Sequence, residues 1–280
     1  MAYTTINKPN TQMNTVLYTG NGGTQSITGV GFQPDWTWLK ARSESASHEI
    51  FDVVRGVTKT INSNTNNAEA TQTDSLTAFG SDGFTLGSNG DINYNNSTYV
   101  GWNWKAGGTA SSNTDGSITS SVSANTTSGF SVVTFTGTGS NATIGHGLGV
   151  KPDAVFFKRL DTTGGWASYH SVLGATKYMR LDTNSGEQTA SDEFQNTEPT
   201  SSVISIGTDG AVNGTSMVAY CFADVKGFSK FNSYVGNGST DGPFIFTGFK
   251  PAFVLIKKSN TSGTDWQLTD NKRDLHNVCT

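Results

Sequence analysis

Gly31-Phe32-Gln33-Pro34-Asp35-Trp36-Thr37-Trp38-Leu39-Lys40-Ala41-Arg42 is the phrase on which the reading of the chain turns, because it returns twice in other letters. It comes back as Gly149-Val150-Lys151-Pro152-Asp153-Ala154-Val155-Phe156-Phe157-Lys158 and as Gly248-Phe249-Lys250-Pro251-Ala252-Phe253-Val254-Leu255-Ile256-Lys257. Proline fixes its own φ and biases its predecessor towards extended backbone, so Gly-X-X-Pro reads as a turn that launches an extended segment. The residues after Pro34 alternate as a strand, with Trp36 and Trp38 on one face and Thr37 and Leu39 on the other. The second and third copies are apolar on both faces too, the signature of a strand buried on both sides.

The surroundings of the phrase repeat as well. Leu17 to Ile27, Phe130 to Ser140 and Phe231 to Ser239 each read as a strand followed by a glycine turn. Tyr99-Val100-Gly101-Trp102-Asn103-Trp104 matches Met217-Val218-Ala219-Tyr220-Cys221-Phe222, and Gly31 to Trp102 spans 71 residues, as does Gly149 to Tyr220. Ahead of these closing strands, Gly80-Ser81-Asp82-Gly83 and Gly207-Thr208-Asp209-Gly210 read as equivalent Asp-Gly hairpin turns, displaced by nine residues that the two loops trade. The spacing therefore predicts an all-β chain of tandem β-sandwich repeats: an N-terminal arm over 1–15, repeat 1 over 16–108, a flexible linker over 109–129, repeat 2 over 130–228 and an incomplete repeat 3 over 229–280. The third repeat lacks a closing aromatic strand; the expectation is a fragment of a longer protein, the alternative a unit completed by a neighbouring chain.

Composition limits what such a chain does. Charged residues make up 14% of it, against roughly 25% in ordinary globular proteins, and its 33 glycines are accompanied by abundant Asn, Thr and Ser. The net charge of −4, from 18 basic and 22 acidic residues, comes without a basic stripe, so no nucleic-acid partner is expected. No apolar run approaches the length that spans a bilayer, so no membrane insertion is expected. The N-terminus has neither the basic start nor the apolar core of a secretory signal. Cys221 and Cys279 alone make no disulfide framework, consistent with folding in a reducing cytoplasm.

No catalytic set emerges, and neither an enzyme nor a cofactor is expected. His48, Trp166 and Trp266 occupy about the same place in their repeats, and so do Asp52, His170 and Asp270; a catalytic residue would not change type in this way. His170 and Ser171 are strand neighbours pointing to opposite faces, which rules out a dyad. The acidic residues show no paired spacing for glycoside chemistry, and the four histidines show no zinc spacing. Trp36, Trp38, Trp102 and Trp104 fall in the strand frame and read as core. Trp166 and Trp266 follow loops and are the candidates for stacking on a glycan, with His146 in Gly145-His146-Gly147 a turn residue and a candidate ligand contact.

Several phrases resemble a repeated domain of virion proteins from marine tailed bacteriophages, especially cyanophages, known as tail-fibre or structural proteins. They are Trp104-Lys105-Ala106-Gly107-Gly108 with Ser111 to Ile118, Thr136 to Thr143 with Gly145-His146-Gly147-Leu148-Gly149, Val218 to Ala223, and Phe249 to Lys258. The resemblance implies a lectin-like sandwich of jelly-roll type, a place in the virion after assembly in the host cytoplasm, and a tail or adhesion fibre contacting the host surface. It implies as partners other virion proteins held through the arm, further copies in a homotrimer, and a host cell-surface glycan. The alternatives are a capsid decoration or knob protein and a free carbohydrate-binding module.

Overall fold

The computed structural model describes residues 4–189 and 191–273, and within them the chain is mostly β, with several antiparallel sheets and two four-residue helices. Each launching phrase behaves as its residues require. Gly31, Gly149 and Gly248 all adopt left-handed φ, at 87°, 72° and 83°, a region that costs glycine nothing and other residues a steric penalty. The strands Trp36–Ala41, Ala154–Arg159 and Phe253–Ile256 start just after the prolines.

Two six-stranded sheets carry the frame. The first runs, in spatial order, Met13–Thr19, Thr98–Trp104, Trp36–Ala41, Glu49–Asp52, Lys59–Asn62 and Ala70–Thr71. The second runs Ser111–Asn113, Ser120–Asn125, Phe130–Phe135, Met217–Phe222, Ala154–Arg159 and Ala167–His170. In both, the closing strand sits between the opening strand and the launched strand. The register agrees residue for residue: Trp36 faces Trp104 and Asp52, while Ala154 faces Phe222 and His170. In the third segment Phe253 faces Asp270 on a two-stranded sheet.

Burial on both faces of the launched strand now has a cause. Leu39 packs with Phe51, Leu76, Phe84 and Leu86 in a core belonging to the first segment, and Phe157 packs with Tyr169, Phe194 and Ile204 in a core belonging to the second. The opposite face meets a third core shared by all three segments, formed by Trp36, Trp38, Trp102, Trp104, Phe130, Trp166 and Tyr220, against which Phe253 and Leu268 pack. Gly101 keeps the closing strand close to the first segment's own core, where a Cβ would come within 2.9 Å of Leu39.

The structure corrects three expectations. Residues 109–129, read as a flexible linker, supply the strands Ser111–Asn113 and Ser120–Asn125 to the second sheet. Two of their serines are buried yet satisfied: the Ser120 and Ser123 hydroxyls donate to the carbonyls of Gly145 and Gly108 at 2.8 and 2.7 Å. The arm joins the first sheet from Met13 onward, and Ile6 is buried. The two Asp-Gly turns are not equivalent. Asp82 and Gly83 lie at the tight end of a hairpin, whereas Asp209 caps the helix Gly210–Asn213, and its true counterpart is Asn89, capping Gly90–Asn93. Asn and Asp side chains serve equally as helix caps, so the shared dipeptide marks two different structures. Cys221 is buried and free; Cys279 lies outside the described residues.

Candidate functional site: the seams around the aromatic core

Asp52 ends a strand, and its carboxylate collects four donors. Val54 and Arg55 backbone N–H groups reach one oxygen at 3.0 and 2.8 Å; Arg55 Nε reaches the other at 2.5 Å, and the Tyr220 hydroxyl donates to that same oxygen at 2.8 Å. The first three bonds are local, but Tyr220 belongs to the second segment. Arg55 is almost wholly buried; burial works against its charge, yet Asp52, Tyr220 and Glu69 hold its pKa above the ordinary guanidinium value.

The arrangement recurs in the third segment. Lys272 and Arg273 N–H donate to one Asp270 oxygen at 2.9 and 2.8 Å, and Arg273 Nε donates to the other at 2.5 Å. The donor from elsewhere is Trp102 Nε1 at 3.0 Å, on the first segment's closing strand in the register position of Tyr220. Arg273 also lies over the Trp102 ring, 5.0 Å from its centroid. Burial alone would raise the Asp270 pKa, but the Arg273 N–H and guanidinium and the Lys272 N–H outweigh it and hold it below the usual carboxylate range.

The two expected glycan-stacking tryptophans lie in the same seams. The Trp166 indole donates to the Asn62 carbonyl of the first segment at 2.9 Å, and the Trp266 indole donates to the Arg180 carbonyl of the second at 2.9 Å. Asn62 follows Pro34 by 28 residues and Arg180 follows Pro152 by 28, so the two bonds are equivalent. Trp166 is fully enclosed, with Tyr220 6.3 Å from its ring, and offers no face to a sugar. Trp266 is half-buried beside Phe156. His146 is fully buried too: its Nδ1 accepts Leu148 N–H at 3.3 Å, which leaves Nε2 to donate to the Thr200 carbonyl at 3.3 Å, and burial lowers its pKa.

Asp52, Arg55, Asp270 and Arg273 escape a reading of the sequence for catalytic or ligand-binding patterns. Their signal lies in Asp52-Val53-Val54-Arg55 and Asp270-Asn271-Lys272-Arg273, where Asp precedes Arg by three in both. Beside these seams lies a cleft of about 490 Å³ walled by Trp36, Trp104, Phe156, Phe222, Phe253 and Leu255, with His170 at its edge. Among the described residues no cluster of three His, Cys, Asp or Glu side chains is placed to hold a metal ion.

A family model described as a domain of unknown function, DUF7483, matches residues 8–280. The chain belongs to that family. No curated protein and no solved structure matches it. The match makes the three segments parts of one family domain, which agrees with the side chains that cross between them.

Proposed function

We propose that this DUF7483 chain is a non-enzymatic structural protein of a bacteriophage virion, a tail or adhesion fibre built of tandem lectin-like β-sandwich modules of jelly-roll type. The observation that carries this reading is the closed circuit of seams. The second segment donates to the first through Tyr220 and Trp166, the third to the second through Trp266, and the first to the third through Trp102. Head-to-tail contacts that close in three steps make a pseudo-threefold body from one chain. Such a body commits its aromatic donors, with the carboxylates of Asp52 and Asp270 as acceptors, to holding modules together, as a particle component under mechanical stress requires, and leaves loops on the periphery to vary.

In this reading the residues ahead of Met13 attach the chain to other virion proteins, and the peripheral loops meet a host surface glycan, with trimerisation raising weak contacts by avidity. Cryo-electron microscopy of the intact particle, with the protein tagged at its C-terminal end, tests the placement. A tag far out along the tail supports the fibre; a tag against the head replaces it with a capsid decoration protein. Light scattering on the isolated chain tests the trimer, which a monomer would contradict.

A further inference from the structure

Within the first two segments, residues 16–228, every described Phe, Trp and Tyr is buried or half-buried except one, Tyr94, which is 60% exposed. It stands on a loop that the common frame does not require. Trp102 follows Asn93 by nine residues and its register counterpart Tyr220 follows Asn213 by seven; the shorter loop carries Gly214, Thr215 and Ser216 and no aromatic residue. The Tyr94 backbone is nevertheless held closely. Its N–H donates to the Tyr99 hydroxyl at 2.8 Å, its carbonyl accepts the Ser97 N–H at 3.1 Å, and the Tyr99 hydroxyl donates in turn to the Gly90 carbonyl at 3.1 Å. The opening loop 20–24 is bonded to the same turn: Asn96 N–H donates to the Gly20 carbonyl at 2.9 Å and Gly22 N–H to the Asn93 carbonyl at 2.8 Å. The fit leaves no room for a side chain at Gly20, whose Cβ would stand 2.3 Å from the Tyr94 carbonyl oxygen. An aromatic ring on so fixed a backbone has little freedom to lose on binding.

We propose that Tyr94 is the stacking residue of a site for a neutral, β-linked glucan chain, with Asp91, Asn95 and Asn96 meeting the hydroxyls of the sugar. The inference rests on the reading above in which peripheral loops contact a glycan, and it assigns the loop. The ligand's class follows from what surrounds the ring. Asp91 precedes Tyr94 by three residues across a helical turn and so shares its side. Asp91, Asn95 and Asn96 are all exposed, and none of their side chains hydrogen-bonds another described residue. Apart from Tyr94 itself, residues 20–24 and 94–96 include no apolar side chain larger than a methyl group. A protein-binding hot spot is ringed by apolar contacts. A sugar instead offers a C–H face and a rim of hydroxyls, which match one aromatic ring beside two amides and a carboxylate. Glucose in β linkage carries its hydroxyls equatorially, so its axial C–H bonds leave both faces open to stacking. The Asp91 carboxylate accepts from hydroxyls and repels an acidic sugar, which selects a neutral chain.

The test is a saturation-transfer NMR titration of the full chain with cellotetraose, and with sialyllactose as the acidic comparison. Saturable transfer to the ring C–H protons of cellotetraose is expected, with sialyllactose binding several-fold more weakly. Tyr94→Ala should weaken cellotetraose about tenfold, the loss of one stacked ring. That variant shortens an exposed side chain and keeps the backbone bonds of the loop, so its circular dichroism melt should match the native one. Tyr94→Phe keeps the ring and should bind as the native chain does, which holds the test open should the alanine variant misfold. Cellotetraose binding that survives Tyr94→Ala overturns this site while leaving the glycan reading intact. Absence of saturable transfer, or tighter binding of sialyllactose, overturns the proposed ligand. Placement on the virion is read separately from the tagged particle, so a failure here is distinct from a failure of the fibre reading.

Discussion

The Asp52 clasp and the Asp270 clasp use the same two residue types at the same spacing, yet one is sealed and the other is half open. Arg55 is 2% exposed and also meets Glu69, whereas Arg273 is 27% exposed. The difference comes from the clasps' own segments, since Tyr220 and Trp102 both arrive on strands held from both edges: Asp52 ends a strand of a six-stranded sheet, and the third segment has only two paired strands behind its clasp among the described residues. An identical local motif therefore carries different energetic weight, set by how far its neighbours exclude water.

The largest effects should come from breaking the sealed clasp. Asp52→Ala leaves the Arg55 guanidinium and the Tyr220 hydroxyl buried without their acceptor, a loss of about 3–5 kcal/mol, against about 1–3 kcal/mol for Asp270→Ala, where water reaches the arginine. Urea denaturation of the two variants measures both; equal losses would mean the clasps are equivalent after all. The tryptophans extend the contrast. Trp166→Ala should cost about 3–5 kcal/mol as a fully buried large-to-small change, and Trp266→Ala only about 1–2 kcal/mol, read from the same denaturation curves.

Asn93 and Asn213 give the control within the comparison, since each sits in a segment built on a six-stranded sheet. Each is buried and bonds the opening loop and a glycine ahead of the helix cap: Asn93 to Gly23 and Gly87, Asn213 to Ser140 and Gly207, at 2.6 to 2.7 Å. Asn93→Ala and Asn213→Ala should therefore lower stability alike, by about 1–3 kcal/mol, and a clear inequality in melting would show that the two segments differ in more than their seams.

The smallest effects concern pH and oppose each other. Burial raises the Glu193 pKa from 4.5 to about 7, with Asp192 adding to the rise. Between those values the folded state holds a proton that the unfolded chain releases, so stability falls as pH rises through that window. Burial lowers the His48 pKa from 6.5 to about 4, with Lys40 and Arg273 adding to the fall. Between about 4 and 6.5 the unfolded chain binds the proton instead, so this group's contribution rises with pH. Glu193→Gln should make the melting temperature climb more steeply between pH 4.5 and 6.5, and His48→Gln should make it decline there; melting curves across the range decide.

Much of this frame is written in the residues. The glycine and proline of each launching phrase determine φ and direction locally, and all three strands form where those residues place them. Double burial follows for the first two, whereas Phe253–Ile256, equally apolar on both faces, is only partly buried, with Ile256 38% exposed, because burial depends on the strands packed around it. The core role expected for Trp36, Trp38, Trp102 and Trp104 is legible for the same reason. The strand Ser120–Asn125 is not, because small polar residues satisfied by distant carbonyls look like a loop until the acceptors are in place. The helix caps at Asn89 and Asp209 are masked by an unrelated Asp-Gly hairpin. The seams are the least legible part, since Tyr220 and Asp52 are 168 residues apart and nothing local to either encodes the other. The change of type among His48, Trp166 and Trp266 has a structural setting: Trp166 and Trp266 bond a carbonyl of the preceding segment, while His48 accepts Trp38 Nε1–H within its own.

Side chains crossing the seams make the segments one energetic unit, and hydrogen exchange read by mass spectrometry, comparing the native chain with Asp52→Ala, puts that coupling to the test. Interlocked segments require that protection be lost at 217–222 and 166–169 in the second segment together with 49–62 in the first. Loss confined to 49–62, with the second segment's closing strand as protected as before, would mean that the segments fold and open independently.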